Sequence, residues 1–119
     1  MEDTKLGLVE GRFAEIVWRN APLSTRALVE ICERELNWKR TTTYTVLKKL
    51  CERGIFKTEN SIVTALISKQ EFEAMQSEQF VEETFAGSLP AFLTAFGSRK
   101  KLSNAEIDEL QKVIDSMRG

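Results

Sequence analysis

Histidine is absent from this 119-residue chain, and cysteine occurs only twice, at Cys32 and Cys51. Without an imidazole, nitrogen-ligand metal sites and the commonest general acid–base chemistry are excluded. The two cysteines are too far apart for a CxxC pair, so a thiolate metal site is not expected either. Each falls in an apolar stripe at helical spacing, Cys32 with Leu28 and Ile31, Cys51 with Leu47 and Leu50, which reads as core filling. A redox switch, with a thiol pairing between subunits, is the alternative. No apolar run approaches the roughly 18 residues of a membrane span, and the acidic start, Met1-Glu2-Asp3-Thr4-Lys5, leads into no signal-peptide-like stretch. A cytoplasmic protein without membrane insertion is expected. No nucleophile stands beside a base, and Glu82-Glu83 and Asp108-Glu109 fall on polar helix faces. The reading is therefore of a non-enzyme that needs no cofactor and no metal.

What is present is an ordinary globular balance, 42% hydrophobic and 29% charged, enough for a modest core and against disorder. The net charge of −1 argues at first against a polyanionic partner. Its distribution reverses that impression. Between residues 38 and 57 stand Lys39, Arg40, Lys48, Lys49, Arg53 and Lys57 against Glu52 alone, whereas residues 68–119 are acidic on balance.

Along the chain, Phe13, Ile16, Val17 and Trp18 mark a helix over roughly 7–19, broken by Asn20-Ala21-Pro22. Ser24 or Thr25 caps a second, with Leu28, Ile31, Cys32 and Leu36 on its apolar face, ending near Asn37. A third runs from Lys39 or Arg40 to Arg53, with Gly54 suited to a left-handed terminus. Ile55 to Thr58 and Ile62 to Ile67 then read as two strands around Glu59-Asn60-Ser61. Three helices followed by a hairpin, with a short turn before the third helix, is the winged helix-turn-helix order.

The third helix separates into two faces. Val46, Leu47 and Leu50, with Thr43 beside them, face a core. Opposite them, Thr41, Tyr44, Thr45 and Lys48 recur at i, i+3, i+4 and i+7, a face of hydrogen-bonding groups and methyls suited to base edges in a major groove. Arg40 and Thr42 lie in the first turn, where free N–H groups favour phosphate, and Lys39 and Lys49 add charge nearby. Lys57, Asn60 and Ser61 at the hairpin tip would brace the DNA backbone or reach an adjacent minor groove.

The run Asn37-Trp38-Lys39-Arg40-Thr41-Thr42-Thr43-Tyr44-Thr45-Val46-Leu47-Lys48-Lys49-Leu50, followed by Arg53-Gly54, resembles the penicillinase and methicillin-resistance repressor (BlaI/MecI) family. Ile16-Val17-Trp18, Ala21-Pro22-Leu23, Glu71-Phe72, Gly87-Ser88-Leu89 and Leu102-Ser103 extend the likeness over nearly the whole chain. The resemblance implies a homodimeric repressor on an inverted-repeat operator, relieved by proteolysis when a membrane sensor protease, or a protease downstream of it, responds to a β-lactam. Relatives are cut between Asn and Phe; the matching bond here is Ala95-Phe96, so the Asn is missing. A copper-responsive branch ends in a cysteine-rich tail that this chain lacks, and Gly11 stands where relatives often carry a large apolar residue.

The C-terminal half suits dimerisation on independent grounds. Phe72, Met75, Phe80, Val81 and Phe85 lie on a helix from Lys69 to Phe85. Ser88 caps the next, with Pro90 in its first turn and Leu89, Phe92, Leu93 and Phe96 making it strongly apolar. Ser103 and Glu106 form a capping box for the last helix, stapled by Leu102 and Ile107, and Ile107, Leu110, Ile114 and Met117 follow near-heptad spacing. Short helices bury so many apolar groups best against a symmetric partner, packing back on the N-terminal domain being the alternative. The expected organisation is thus mainly α with a small hairpin: a winged-helix DNA-binding domain over 1–68 and a helical dimerisation domain over 69–119, binding double-stranded DNA as a homodimer. A winged-helix protein-interaction module, or a repressor of different, for example redox, response, is the alternative reading.

Overall fold

The computed structural model describes residues 5–118; the acidic start over residues 1–4 and the final Gly119 lie outside it. Six helices and three strands follow in the order α1 (Leu8–Asn20), β1 (Leu23–Ser24), α2 (Thr25–Leu36), α3 (Arg40–Glu52), β2 (Phe56–Glu59), β3 (Ile62–Ala65), α4 (Lys69–Phe85), α5 (Leu89–Arg99) and α6 (Asn104–Ser116). The chain divides into two compact units, one through Gln79 and one from Phe80, so the division falls inside α4.

In the first unit the helix ends follow local chemistry. The Gly7 N–H donates to Glu10 Oε1 at 3.0 Å at the start of α1, and Pro22, with no N–H, cannot extend its far end. Ser24 caps α2 by accepting the Ala27 N–H at 3.0 Å. Asn37 closes α2 in the left-handed region, at φ 56°, a conformation that asparagine tolerates better than most residues. The Trp38 N–H reaches back to the Cys32 carbonyl. Only Asn37, Trp38 and Lys39 separate α2 from α3, so the two helices form a helix-turn-helix.

The sheet has one strand more than the sequence suggested. The order is β1-β3-β2, with Leu23 opposite Val63 and Ser24 opposite Ile62 in the added antiparallel pair. β2 and β3 close through a two-residue turn, Glu59 facing Ile62, with Asn60 and Ser61 at φ 52° and 62°. Two successive positive φ values match the right-handed twist of a hairpin. Phe56 and Val63 turn inward and join Phe13, Val17, Leu28, Leu50 and Ile55 in one core. Each such side chain contributes about 1.5–3 kcal/mol when fully buried. Trp38 stacks on Phe13 with ring centroids 5.6 Å apart. Trp18 lies 5.5 Å from both Phe56 and Phe72 and donates its indole N–H to the Ile67 carbonyl at 3.0 Å.

Phe72 is therefore part of this first core, 2% exposed, and not of the C-terminal apolar face with which its helical phase had grouped it. The phase of α4 is the same in either grouping; the position of Trp18 decides between them.

The second unit holds the end of α4, then α5 and α6. Ser88 accepts the Ala91 N–H at 3.1 Å. Ser103 and Glu106 form the capping box, the Glu106 N–H donating to Ser103 Oγ and the Ser103 N–H to Glu106 Oε1, both at 3.1 Å. Phe92 packs against Phe80, Phe85 and Phe96 at 5.6–6.1 Å between centroids. Neither α5 nor α6 has a fully buried residue.

Candidate nucleic-acid interface

Helix α3 presents the two faces its periodicity requires. Thr43, Leu47 and Leu50 are buried, and Lys39, Arg40, Thr41, Thr42, Tyr44, Thr45, Lys48 and Lys49 are all exposed. Lys39 stands at the N-cap without a side-chain hydrogen bond, and the first turn carries no acid. The leading N–H groups of α3 thus point outward with no anion of the protein's own to compensate their dipole.

The exposed face is partly preorganised. The Arg40 guanidinium lies over the Tyr44 ring, 5.6 Å from its centroid. The Tyr44 hydroxyl is engaged by Thr25 and Arg40, which together hold the phenol below its usual range. Thr45 donates its hydroxyl proton to the Thr41 carbonyl at 2.8 Å, which leaves its methyl and oxygen lone pairs available. At the turn, Asn60 and Ser61 are exposed, and the Ser61 carbonyl accepts the Thr25 N–H at 2.9 Å, tying the hairpin to the start of α2.

The basic residues are not equivalent. Among the described residues Lys39 and Lys48 form no ion pair, whereas Lys57 pairs with Glu59 at 3.1 Å and Lys49 with Glu10 of α1 at 2.7 Å. Thr25 and Arg26, at the first turn of α2, were not among the expected contact residues, Thr25 being expected only as a candidate helix cap. Arg26 is highly exposed and only loosely paired with Glu30, at 3.8 Å. The adjacency of the α2 start to α3 in a helix-turn-helix was the available signal for them.

In the second unit Phe80, Leu89, Phe96, Ile107, Val113, Ile114 and Met117 are exposed, Val81, Phe85, Phe92, Leu93 and Leu110 are half-buried, and Ala95 is exposed beside Phe96 on α5; Met75, half-buried, falls in the first unit. Phe92, Leu93, Phe96, Leu102, Leu110 and Val113 line an apolar groove of about 380 Å³. Among the described residues no cluster of histidine, cysteine or acidic side chains could hold a metal ion, and no helix is long and apolar enough to cross a membrane.

A three-helix core carrying a helix-turn-helix and a small sheet, with a separate helical C-terminal unit, defines the winged-helix class of regulatory proteins. Within that class, the chain belongs to the penicillinase repressor family, whose pattern it matches over residues 6–116. It is 21% identical over 115 residues to the methicillin resistance regulatory protein MecI of Staphylococcus aureus (strain N315), covering 93% of this chain and 94% of that protein. It is 20% identical over 105 residues to the penicillinase repressor of Bacillus licheniformis, covering 85% and 82%.

Proposed function

We propose that this chain is a transcriptional repressor that binds an inverted-repeat operator as a homodimer, α3 reading the major groove and the hairpin bracing the backbone. The observation that carries the reading is the polarity of α3: its polar face is wholly exposed while Thr43, Leu47 and Leu50 anchor the opposite one. Dimerisation rests on the exposed apolar residues of α5 and α6, and an inverted repeat requires two α3 helices about one DNA turn apart. The family, with MecI and the penicillinase repressor among the relatives, supports genes of the β-lactam-resistance type as targets. Relief by proteolysis at Ala95-Phe96, by a sensor protease or one downstream of it, belongs to the same proposal.

The test is equilibrium binding to a duplex carrying the inverted repeat TACA…TGTA and to a scrambled duplex, at 50 and 200 mM salt. Lys39, Arg40 and Lys48 of two protomers, each on a phosphate, give a log–log salt slope of about −5, a loss on the order of 10³-fold between the two conditions. Specific, salt-steep binding of one dimer per repeat is expected. No binding at 50 mM would refute the reading and favour a protein-interaction module.

A further inference from the structure

We infer that Glu10 withdraws Lys49 from the DNA-facing charge of α3 and so limits the sequence-independent part of DNA binding, an inference that rests on the repressor reading above. Lys49 Nζ lies 2.7 Å from Glu10 Oε2, an ion pair between helices whose partners are 39 positions apart in sequence. The Glu10 side chain is only 21% exposed against 61% for Lys49. The pair is thus anchored at the carboxylate, and the lysine is drawn to it.

Three further features hold the carboxylate charged in place. Its Oε1 accepts the Gly7 N–H at 3.0 Å. It sits in the first turn of α1, where the helix dipole favours an anion. Arg53, itself bonded to the Lys5 carbonyl at 2.7 Å, adds positive potential. The Lys49 hydrogen bond, the Gly7 N–H and these charges together hold the Glu10 carboxyl below its usual range.

A phosphate that captured Lys49 would leave this anchored carboxylate undercompensated and beside a polyanion, so both effects oppose the exchange. Lys48, one residue earlier, has no such partner among the described residues. Two adjacent lysines of one helix are thereby given different tasks: Lys48 remains available to DNA and Lys49 ties α3 to α1. Because sequence-independent affinity scales with the number of phosphates neutralised, withholding one cation per protomer improves the ratio of operator to bulk DNA binding.

The experiment compares full-length wild type, Glu10→Gln, Lys49→Ala and the double variant on the scrambled duplex across salt, with melting curves as a check on folding. The replacement amide oxygen in Glu10→Gln still accepts the Gly7 N–H; Glu10→Ala, which also removes the charge, serves if that variant melts early. Wild type and Lys49→Ala are expected to share one slope. Glu10→Gln should steepen it by about 2, one freed cation per protomer, making it about 12-fold more responsive to a fourfold salt change, and the double variant should return to the wild-type slope.

The inference is overturned if Lys49→Ala alone flattens the slope by about 2, if Glu10→Gln leaves it unchanged, or if the steepening persists without Lys49. The last result would mean that the carboxylate itself repels DNA. A wild-type protein with no salt-dependent binding overturns the repressor reading instead, with Glu10 and Lys49 both intact.

Discussion

Thr43→Val tests the placement of α3 through a residue that never meets solvent. Thr43 is a polar side chain buried in this core, 1% exposed, and its Oγ1 has no well-placed hydrogen-bond partner among the described residues. It lies against the Cys32 thiol, whose proton affinity burial raises and the Thr43 hydroxyl partly lowers. A thiol is a weak donor and acceptor, so this contact returns little of the hydroxyl's lost hydration. An unsatisfied buried hydroxyl costs about 1–3 kcal/mol. Valine keeps the branching of threonine and replaces the hydroxyl by a methyl. Allowing for the weak contact to Cys32, the net gain is about 1 kcal/mol, or about 4–8 °C in Tm for a unit of this size. Thermal unfolding at one fixed protein concentration, since dimerisation makes Tm concentration-dependent, reads the effect directly, and operator affinity should stay within about twofold because the polar face is untouched. A lower Tm would mean that the Thr43–Cys32 contact outweighs the desolvation of the hydroxyl. A higher Tm with lost operator binding would mean that the two faces of α3 are wrongly assigned.

Other substitutions address the remaining parts of the molecule. Lys39→Ala and Lys48→Ala should each weaken binding to every duplex and flatten the dimer's salt slope by about 2, while Tyr44→Ala should cost about 1–3 kcal/mol of operator discrimination at little change in slope, read from paired titrations. Ser61→Gly relieves a positive φ at the hairpin turn and should raise the urea midpoint by the equivalent of about 0.5–1 kcal/mol without changing m. Gly11→Ala adds a Cβ that meets open space inside α1 and should stabilise by about 1 kcal/mol in the same assay. Ile114→Asp places a charge on the exposed apolar stripe of α6. Sedimentation should then show monomer at concentrations where wild type is dimeric, and an unchanged dimer would remove α6 from the proposed interface.

Helix ends and helix faces were legible because their causes are local. Ser24, Ser88 and the pair Ser103 and Glu106 each accept or return a hydrogen bond three residues away, and such spacings can be read from the order of residues alone. The exposed and buried faces of α3 follow from 3.6 residues per turn. Asn60-Ser61 announced a turn, though the two residues adopt it more tightly than the three-residue tip expected. The two-residue strand β1 left no trace, because Leu23 and Ser24 are too few to show alternation and are a strand only through their pairing with Val63 and Ile62.

Local chemistry thus dictated where the chain turns, which helices form, and which residues of α3 stay wet. Tertiary packing decided what periodicity cannot: that Phe72 belongs beneath Trp18, and that the two compact units divide within α4. It likewise decided that Lys49 is bound to Glu10 while Lys48 beside it is not. These are relations between residues distant in sequence, and their free energies depend on distances that exist only once the helices have packed.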